Sequence, residues 1–351
     1  DARSSFNDKE SITADPVDSR FVYAVWDRLA QTGGGPSWFA RTTNGGVTWE
    51  PARSIHDPGS RSQTLNNQIV VLQDGTLVNF LTQFDPGSNN SSVMRLAVLR
   101  SSDRGATWSP PIFIEPLLSI GVKDPENGTG VRDAADLGSI SAGRNGHLAV
   151  VWQDSRFSAG ARDAIAFSQS VDGGLTWSTP VRINAAPGVQ AFVPTVKIRD
   201  DGVIGVTYYD FRNNTPDPGS LPTDAWLTQS ADGLAWRETH VAGPFDLSRA
   251  PNARGLFLGD YQGLASAGSS FIPFFAQTNA DAANATDIFV ALPPLASSAL
   301  GKAREGGTLT TAEPAGAFAI TPEWRARLDR AAARALSRRL QRGSAPGAAN
   351  D

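Results

Sequence analysis

The turn Thr42-Thr43-Asn44-Gly45-Gly46-Val47-Thr48-Trp49 decides the fold of this chain, because the sequence repeats it. The further copies are Ser101-Ser102-Asp103-Arg104-Gly105-Ala106-Thr107-Trp108, Ser170-Val171-Asp172-Gly173-Gly174-Leu175-Thr176-Trp177 and the shortened Ser230-Ala231-Asp232-Gly233-Leu234-Ala235-Trp236. The four tryptophans lie 59, 69 and 59 residues apart. In each copy a short Asp or Asn side chain can accept bonds from backbone N–H groups, glycine accepts a positive φ, and tryptophan buries a large ring. The repeat predicts an array of similar units in which these turns have a structural role.

Strand-like segments surround each turn, so a unit can be divided into an inner, a second, a third and an outer strand. In the first unit these strands are residues 10–16, 21–27, 37–43 and 48–55. The second strands of the later units are 77–84, 148–154, 204–210 and 271–277. The fifth unit has a third strand near 286–291 but no copy of the turn. The sequence therefore predicts five readable units.

The four turns, at 42–49, 101–108, 170–177 and 230–236, resemble the Asp-box (BNR repeat), S-x-D-x-G-x-T-W, of β-propellers in the bacterial sialidase superfamily. The resemblance implies an all-β fold, namely a sialidase-type propeller over residues 1–300 with five four-stranded blades and an added C-terminal α-helix. Sialidase propellers have six blades, so we expect a sixth blade either ahead of residue 1 or formed by the termini. Residues 1–6 or 307–311 are the candidates for closing the ring.

The C-terminal part of the chain differs from the rest in charge. Residues 301–351 contain nine Lys and Arg against five Asp and Glu, although the whole chain has a net charge of −4. Thr321-Pro322-Glu323 is typical of a helix start, and helical spacing continues through Trp324, Leu328, Ala332, Leu336 and Leu340. We predict a linker at 301–320, a basic amphipathic helix at 321–342 and a disordered tail at 343–351. The helix is interpreted as solvated with one docked face, and the alternatives are docking on the acidic body, a polyanion or a membrane surface.

Polar residues gather where inner strands begin and second strands end, which is one face of a propeller, here called the mouth. The inner-strand starts supply Asp8, Glu10, Asn67, Gln68, Asp136, Asp260 and Tyr261. The second-strand ends supply Arg28, Asp154, Arg156, Asp210 and Arg212. Three arginines thus occupy one position in three units, and converging guanidinium groups would bind an acidic sugar. The alternative is that each arginine pairs with an aspartate of its own blade and holds loops.

The order of these residues is similar to that of sialidases when the five blades are taken as the second to sixth of six. The resemblance implies that Tyr261 is the nucleophile and Asp136 the carboxylate that takes its proton, with arginines gripping the substrate carboxylate. The family has a glutamate where this chain has Asp136. Its first arginine and its acid/base aspartate have no clear counterpart, so either they lie in the missing sixth blade, or Arg28 and either Asp8 or Glu10 replace them. The further substrate-binding candidates are Arg156, Arg212, Asn67, Gln68, Asp154, Asp210 and Asp260.

These residues lead us to predict a sialidase-like glycoside hydrolase that cleaves a terminal acidic sugar, either sialic acid or a related nonulosonic acid. The alternatives are a non-catalytic propeller that binds a glycan or a protein, and a uronate polysaccharide lyase with Tyr261 as base. The chain has no cysteine and three histidines, which excludes thiol chemistry and disfavours histidine-ligated metals. No cofactor is predicted, although structural Ca²⁺ in the 124–136 loop is an option.

The partners expected from the sequence are glycans. The acidic body argues against nucleic acid, and no apolar run is long enough to span a membrane. We predict a monomer. Because the chain begins at Asp1 without an initiator Met, we expect that a preceding segment has been removed, and we predict a secreted or periplasmic protein.

Overall fold

The computed structural model describes residues 5–30, 34–88, 91–292 and 307–344, and it shows a five-bladed β-propeller built from antiparallel sheets. Blade 1 contains β1 (Ser5–Ala14), β2 (Val22–Ala30), β3 (Ser37–Thr42) and β4 (Arg53–His56). Blade 2 contains β5 (Gln63–Val71), β6 (Leu77–Pro86), β7 (Ser92–Ser101) and β8 (Ile112–Pro116). Blade 3 contains β9 (Ser139–Ala142), β10 (Leu148–Asp154), β11 (Ala164–Ser170) and β12 (Val181–Arg182). Blade 4 contains β13 (Ala191–Ile198), β14 (Ile204–Asp210), β15 (Pro222–Ser230) and β16 (Ala235–Asp246), and blade 5 contains β17 (Gly263–Ala267), β18 (Ser270–Thr278) and β19 (Thr286–Val290). The five predicted blades and their second strands are confirmed.

The repeated turns connect third and outer strands through a fixed set of hydrogen bonds. In the second copy, the Asp103 carboxylate accepts bonds from the Thr107 amide at 2.8 Å and the Ser101 hydroxyl at 2.7 Å. The Gly105 amide donates to the Ser101 hydroxyl at 2.7 Å, with Gly105 at φ +86°. The Thr107 hydroxyl and amide bonds lower the pKa of Asp103 to about 2. The short acid and the glycine therefore serve the turn itself, and this face carries no candidate chemistry.

The tryptophans of these turns pack against the preceding blade. Trp108 meets Phe39 of blade 1 edge-on at 5.4 Å between ring centroids, and Trp236 meets Phe167 of blade 3 at 5.1 Å. Trp49 of blade 1, whose neighbour on that side is blade 5, is 43% exposed. The expectation that each tryptophan buries its ring thus fails at Trp49, because the seam between blades 5 and 1 offers less cover than the other seams.

The hydrophobic core consists of clusters between neighbouring blades. Tyr23 and Phe39 of blade 1 pack with Ile69 and Leu77 of blade 2, and similar clusters join blades 2 and 3, 3 and 4, and 4 and 5. Among the buried residues of the described ranges, no such cluster joins blade 5 to blade 1. The ring is therefore held least firmly at this seam.

Within the described residues 5–30 and 307–344, neither terminus supplies a fourth strand to blade 5. Instead, β1 is the inner strand of blade 1, and it begins earlier than the predicted 10–16. The segment considered for closure at 307–311 forms β20 (Thr308–Thr311), which pairs with β16 as a fifth strand of blade 4. A short β21 (Glu313–Pro314) adds to β12 of blade 3 in the same way. Part of the predicted 301–320 linker is thus strand, and residues 301–306 lie outside the described residues.

One α-helix, α1 (Pro322–Ser344), follows these strands and lies on the mouth face. The Thr321 carbonyl accepts the first helical bond, from the Arg325 amide at 2.8 Å, which agrees with the predicted helix start. The helix buries Trp324, Leu328, Ala332 and Ala335 against blades 2 and 3. Its apolar stripe is therefore docked. Of the tail predicted at 343–351, residues 343–344 belong to the helix, and 345–351 fall outside the described residues. No helix in the described part of the chain is both long and apolar enough to cross a membrane.

Candidate active site at the propeller mouth

Three inner strands break their ladders at the same place, where they enter the mouth. The register shifts between Asp8 and Ser11 in β1, and it shifts similarly in β5 and β13. At these bulges Lys9, Asn66 and Val193 adopt positive φ values of 56°, 64° and 50°. Such values are uncommon for residues other than glycine, and for a β-branched valine they are unfavourable. A bulge re-aims side chains, and stored backbone strain of this kind concentrates at functional sites.

The bulges and the connection before β9 bring five charged residues to one point, here called the mouth cluster: Asp8, Lys9, Arg132, Asp136 and Asp260. They surround a gap of about 20 Å³, which is room for one water molecule. The Asp260 carboxylate accepts bonds from Lys9 Nζ at 2.7 Å and from Arg132 Nη2 at 2.7 Å and Nε at 3.0 Å. Asp8 and Asp136 are buried, with 8% and 6% of their surface exposed. The cluster has three carboxylates against two cations, so its net charge is negative.

The environment keeps Asp260 ionised. Burial alone would raise the pKa of this carboxyl, but the bonds from Arg132 and Lys9 outweigh the burial and lower the pKa. Lys9 belongs to blade 1 and Asp260 to the approach of blade 5, so their ion pair also closes the ring at the seam that lacks a hydrophobic cluster. Asp260 is therefore neutralised by structural partners.

Tyr261 stands beside the mouth cluster with 55% of its surface exposed. It lines a cavity of about 240 Å³ together with Gln68, Thr195 and Gln262. Lys9 Nζ lies 4.9 Å from the centre of the phenol ring. Partial burial, followed by the charges of nearby carboxylates led by Asp260, raises the pKa of the tyrosine. The phenol therefore stays protonated at neutral pH and can donate a hydrogen bond into this cavity.

Two of the arginines at the second-strand ends, Arg156 and Arg212, pair with nearby carboxylates. Arg156 donates from Nε and Nη2 to the two oxygens of Asp154, each at 2.9 Å, and from Nη1 to Glu115 at 3.0 Å. Arg212 donates from Nε to Asp210 at 2.8 Å. Asp154 and Asp210 are fully buried, and the Arg156 side chain is only 5% exposed. The two Asp–Arg pairs thus hold their own blades, as the alternative interpretation expected.

Arg28 has a third environment. Its Nε donates to the Asn7 side chain at 3.0 Å, and its guanidinium lies 3.7 Å from the ring centre of Trp38. None of the described cavities is lined by Arg28, Arg156 or Arg212. Burial and local carboxylates commit Arg156 and Arg212 to their own loops, which favours the alternative interpretation, whereas convergence of the three arginines on one acidic sugar stays a prediction.

The amide residues of blade 2 connect neighbouring blades. Asn67 is 1% exposed and accepts a bond from Asn79 at 2.7 Å, so it lies beneath the mouth surface. Gln68 donates to the Gly138 carbonyl at 2.9 Å and reaches the cavity of Tyr261. Glu10 is exposed on β1, away from the mouth cluster. Of the candidate residues, the structure thus brings together Asp8, Asp136, Asp260, Tyr261 and Gln68.

Sequence reasoning missed Arg132. It precedes Asp133 in the connection between blades 2 and 3, and adjacency to an acidic inner-strand start was the only signal available. The structure fixes it by pairing its amide with the Leu256 carbonyl at 2.9 Å. Gly255 permits this approach, since a Cβ there would lie 2.7 Å from the Arg132 nitrogen. The segment before β17 therefore crosses the mouth and holds Arg132 in place.

The carboxylates of the 124–136 loop bond to the protein itself. Asp124 accepts a bond from the Glu126 amide at 2.8 Å, and Asp133 accepts from the Val122 amide at 2.6 Å and from Gln153 at 3.1 Å. Over the described ranges, no group of three or more His, Asp or Glu residues is arranged to hold a metal ion. Calcium binding stays a prediction.

The chain is similar to carbohydrate-active proteins, although no family model matches it. A xyloglucanase from a Paenibacillus species is 27% identical over 271 residues, which cover 74% of this chain. The chain spans only 23% of the length of that relative.

Solved structures support the fold. A protein of unknown function from Dyadobacter fermentans has a TM-score of 0.51 and 14% identity, with 90% of this chain and 85% of that chain covered. An ulvan lyase, a polysaccharide lyase, has a TM-score of 0.44 and 12% identity over 78% of this chain and 64% of that chain. Lower-scoring matches include glycoside hydrolases, one of them a sialidase. At these identities the structural likeness establishes the propeller fold alone.

Proposed function

We propose that the protein is a glycoside hydrolase whose reactive centre is the mouth cluster. The observation that carries the proposal is the meeting of Asp8 and Asp136, from blades 1 and 3, around a gap with room for one water molecule. Hydrolysis of a glycosidic bond needs one carboxyl group to protonate the leaving oxygen and one to activate water or attack carbon. A xyloglucanase among the relatives in sequence supports the same class of reaction.

The charge of the cluster fits the transition state of this reaction. Glycoside hydrolysis passes through a transition state with positive charge on the sugar ring, and the ionised carboxylates of the cluster stabilise that charge. Asp260, held ionised by Lys9 and Arg132, contributes to the field but is a poor proton donor. Asp8 and Asp136 are therefore assigned as the acid/base pair, and the sugar would occupy the cavity of about 240 Å³ beside them.

Tyr261 is assigned as a hydrogen-bond donor to the sugar. Because burial and nearby carboxylates raise the pKa of its phenol, Tyr261 stays protonated at neutral pH. A sialidase-like version of the reaction, in which Tyr261 attacks the sugar and Asp136 takes its proton, is the narrower proposal. It requires cleavage of a terminal acidic sugar. In both versions of the proposal the enzyme acts outside the cytoplasm.

The test is release of reducing sugar from a panel of neutral and acidic glycans. We expect Asp136→Asn and Asp8→Asn each to reduce turnover by about a hundredfold or more, because an amide cannot transfer the proton. The matched control is Asp200→Asn, since Asp200 is an exposed carboxylate in the turn between β13 and β14 on the opposite face. Thermal unfolding of all three variants shows whether the fold is intact.

Three outcomes separate the alternatives. Full turnover by folded Asp136→Asn and Asp8→Asn would refute the mouth cluster as the reactive centre. Loss of activity in Tyr261→Phe as deep as in Asp136→Asn would support the sialidase-like version over the donor role. Products that absorb in the ultraviolet through a new double bond would identify a lyase, in which Tyr261 is the base.

A further inference from the structure

A second and larger cavity lies beside the mouth cluster, between α1 and the 120–136 connection. Its volume is about 510 Å³, and it is called here the helix cavity. Five cationic side chains line it, all of them exposed: Lys123, Arg254, Arg327, Arg330 and Arg334. Two carboxylates, Asp133 and Asp136, complete its charged lining, and both are largely buried. The helix cavity therefore has an excess of positive charge.

The helix supplies three of these cations on one stripe. Arg327, Arg330 and Arg334 are three and four residues apart, which places them on neighbouring positions of one face. Like charges at this spacing destabilise a helix. Among the described ion pairs, none includes any of the five cations of the helix cavity. An anion entering the cavity would reduce the repulsion among these cations.

The docking of the helix holds this arrangement. Arg327 Nη1 donates to the Gly160 carbonyl at 2.9 Å, and Arg334 Nη2 donates to the Ile120 carbonyl at 2.9 Å. Arg254 comes from the segment that pairs with 130–132 and has φ +66°. Cations from three separate elements thus surround one space, and two of them, Arg327 and Arg334, are held by hydrogen bonds.

We propose that the helix cavity binds the acidic groups of an extended anionic oligosaccharide, through its carboxylates or sulfates, while the bond to be cleaved lies at the mouth cluster. The proposal rests on the proposed hydrolase function and names its substrate class. Asp136 lines both the helix cavity and the mouth cluster, so one chain can occupy both. Guanidinium groups bind carboxylate and sulfate oxygens in a forked, charge-assisted geometry.

The two sites differ in their charged groups, and this sets how the chain lies. The ionised carboxylates of the mouth cluster favour a sugar that develops positive charge, whereas the helix cavity has an excess of cations and favours acidic residues further along the chain. The site therefore fits a polymer with spaced acidic residues better than a single terminal acidic sugar.

Binding of two matched probes tests the proposal. One probe is a hexamer of galacturonic acid, and the other is its fully methyl-esterified form, which has equal length and no charge. Titration calorimetry is performed with the full chain carrying Asp8→Asn, a change outside the helix cavity that stops turnover. We expect binding of the acid hexamer that weakens with salt, and no measurable binding of the ester.

The decisive variant is the double change Arg254→Gln and Arg330→Gln. Neither side chain forms a hydrogen bond with the described residues, so the fold should tolerate both changes. We expect the acid hexamer to bind about tenfold more weakly or worse, because two charge contacts are lost. The control is Arg61→Gln with Arg144→Gln, which removes the same charge at exposed arginines outside the cavity.

The outcomes distinguish this proposal from the proposed function. Equal weakening by both double variants would overturn the helix cavity as the site, and so would unchanged binding by Arg254→Gln with Arg330→Gln. A single-stranded oligonucleotide of equal charge that binds as tightly as the acid hexamer would also overturn it, since the site would then select charge alone. Specific binding without hydrolysis of any glycan would support the cavity and refute the hydrolase.

Discussion

A single methyl group at Gly160 should detach α1 from the propeller. Gly160 lies under the first turn of the helix, and a Cβ built on it would come within 2.2 Å of Trp324 Cγ and 2.3 Å of Cδ1. Carbon atoms pack at about 3.5–4.0 Å, so Gly160→Ala and the indole cannot both keep their places. Trp324 is 2% exposed and donates to the Ser155 hydroxyl at 2.9 Å, so displacing it removes a full anchor.

The expected magnitude has two parts. Gly160 has φ +79°, and alanine in that region costs roughly 1–2 kcal/mol. Loss of a buried tryptophan costs about 3–5 kcal/mol. The matched control is Gly202→Ala, because Gly202 has φ +90° with nothing within 4 Å of a built Cβ, so it pays only the backbone term. We expect roughly 4–7 kcal/mol of lost docking for Gly160→Ala against about 1–2 kcal/mol for Gly202→Ala.

Hydrogen exchange of the helix amides measures docking separately from global unfolding. A double-mutant cycle isolates the contact: in a Trp324→Ala background, Gly160→Ala should cost only the backbone term, which leaves a coupling energy of about 3 kcal/mol or more. If the helix amides are equally protected from exchange in Gly160→Ala and Gly202→Ala, or if the cycle shows no coupling energy, the reasoning about this anchor is refuted.

Two further predictions concern buried charges. Arg156→Gln should lower the free energy of unfolding in urea by about 3–5 kcal/mol, because it leaves the fully buried Asp154 carboxylate without its cation. The control Arg28→Gln should lower it by less than about 1 kcal/mol. Equal effects would contradict the structural role of Arg156. Burial raises the pKa of Asp163 to about 7, well above its value in an unfolded chain. The stabilisation that the bound proton gives is therefore complete below about pH 4 and is lost as the pH rises through 7. The free energy of unfolding of the wild type should fall over this range, and that of Asp163→Asn should not. Parallel pH profiles of the two proteins would contradict this prediction.

The sequence was sufficient to predict the propeller and much of its mouth, because those depend on short-range signals. An Asp or Asn followed by glycine and tryptophan specifies its own turn, so four copies set the register of the blades. Once the blades are in register, the starts of the inner strands must meet at one face. Asp8, Asp136 and Asp260 could therefore be placed together without any knowledge of their contacts.

The role of the arginines could not be predicted, because one pattern has two physical outcomes. An aspartate at a strand end with arginine two residues later can offer its guanidinium to a ligand or fold back on its own carboxylate. Arg156 folds back on Asp154, since the Trp152 indole and the Leu118 amide also donate to the Asp154 carboxylate and hold it in a buried site. Burial of this kind depends on residues in another blade, which local sequence does not reveal.

The bulges at Lys9 and Val193 have no sequence signal either. Neither residue type favours positive φ, so the backbone there is imposed by packing around the mouth. The place where α1 docks was equally hidden, because Gly160 and Trp324 meet across 164 residues of chain. Nothing in the sequence around Gly160 indicates that this turn glycine makes room for the indole of Trp324.

The contrast between the basic C-terminal segment and the acidic rest of the chain is explained only by the way α1 docks. The interpretation from the sequence was a solvated helix with one docked face, and one alternative was docking on the acidic body, which would have brought its arginines onto carboxylates. The structure holds the helix by Trp324 and Leu328 instead, and the stripe of Arg327, Arg330 and Arg334 faces a cavity. Hydrophobic anchoring thus allows the charges to remain available, because the binding energy of the helix does not depend on neutralising them. A positively charged cavity beside the carboxylates of the mouth cluster follows from that choice of anchor, and the proposed cleavage of acidic polymers depends on this arrangement.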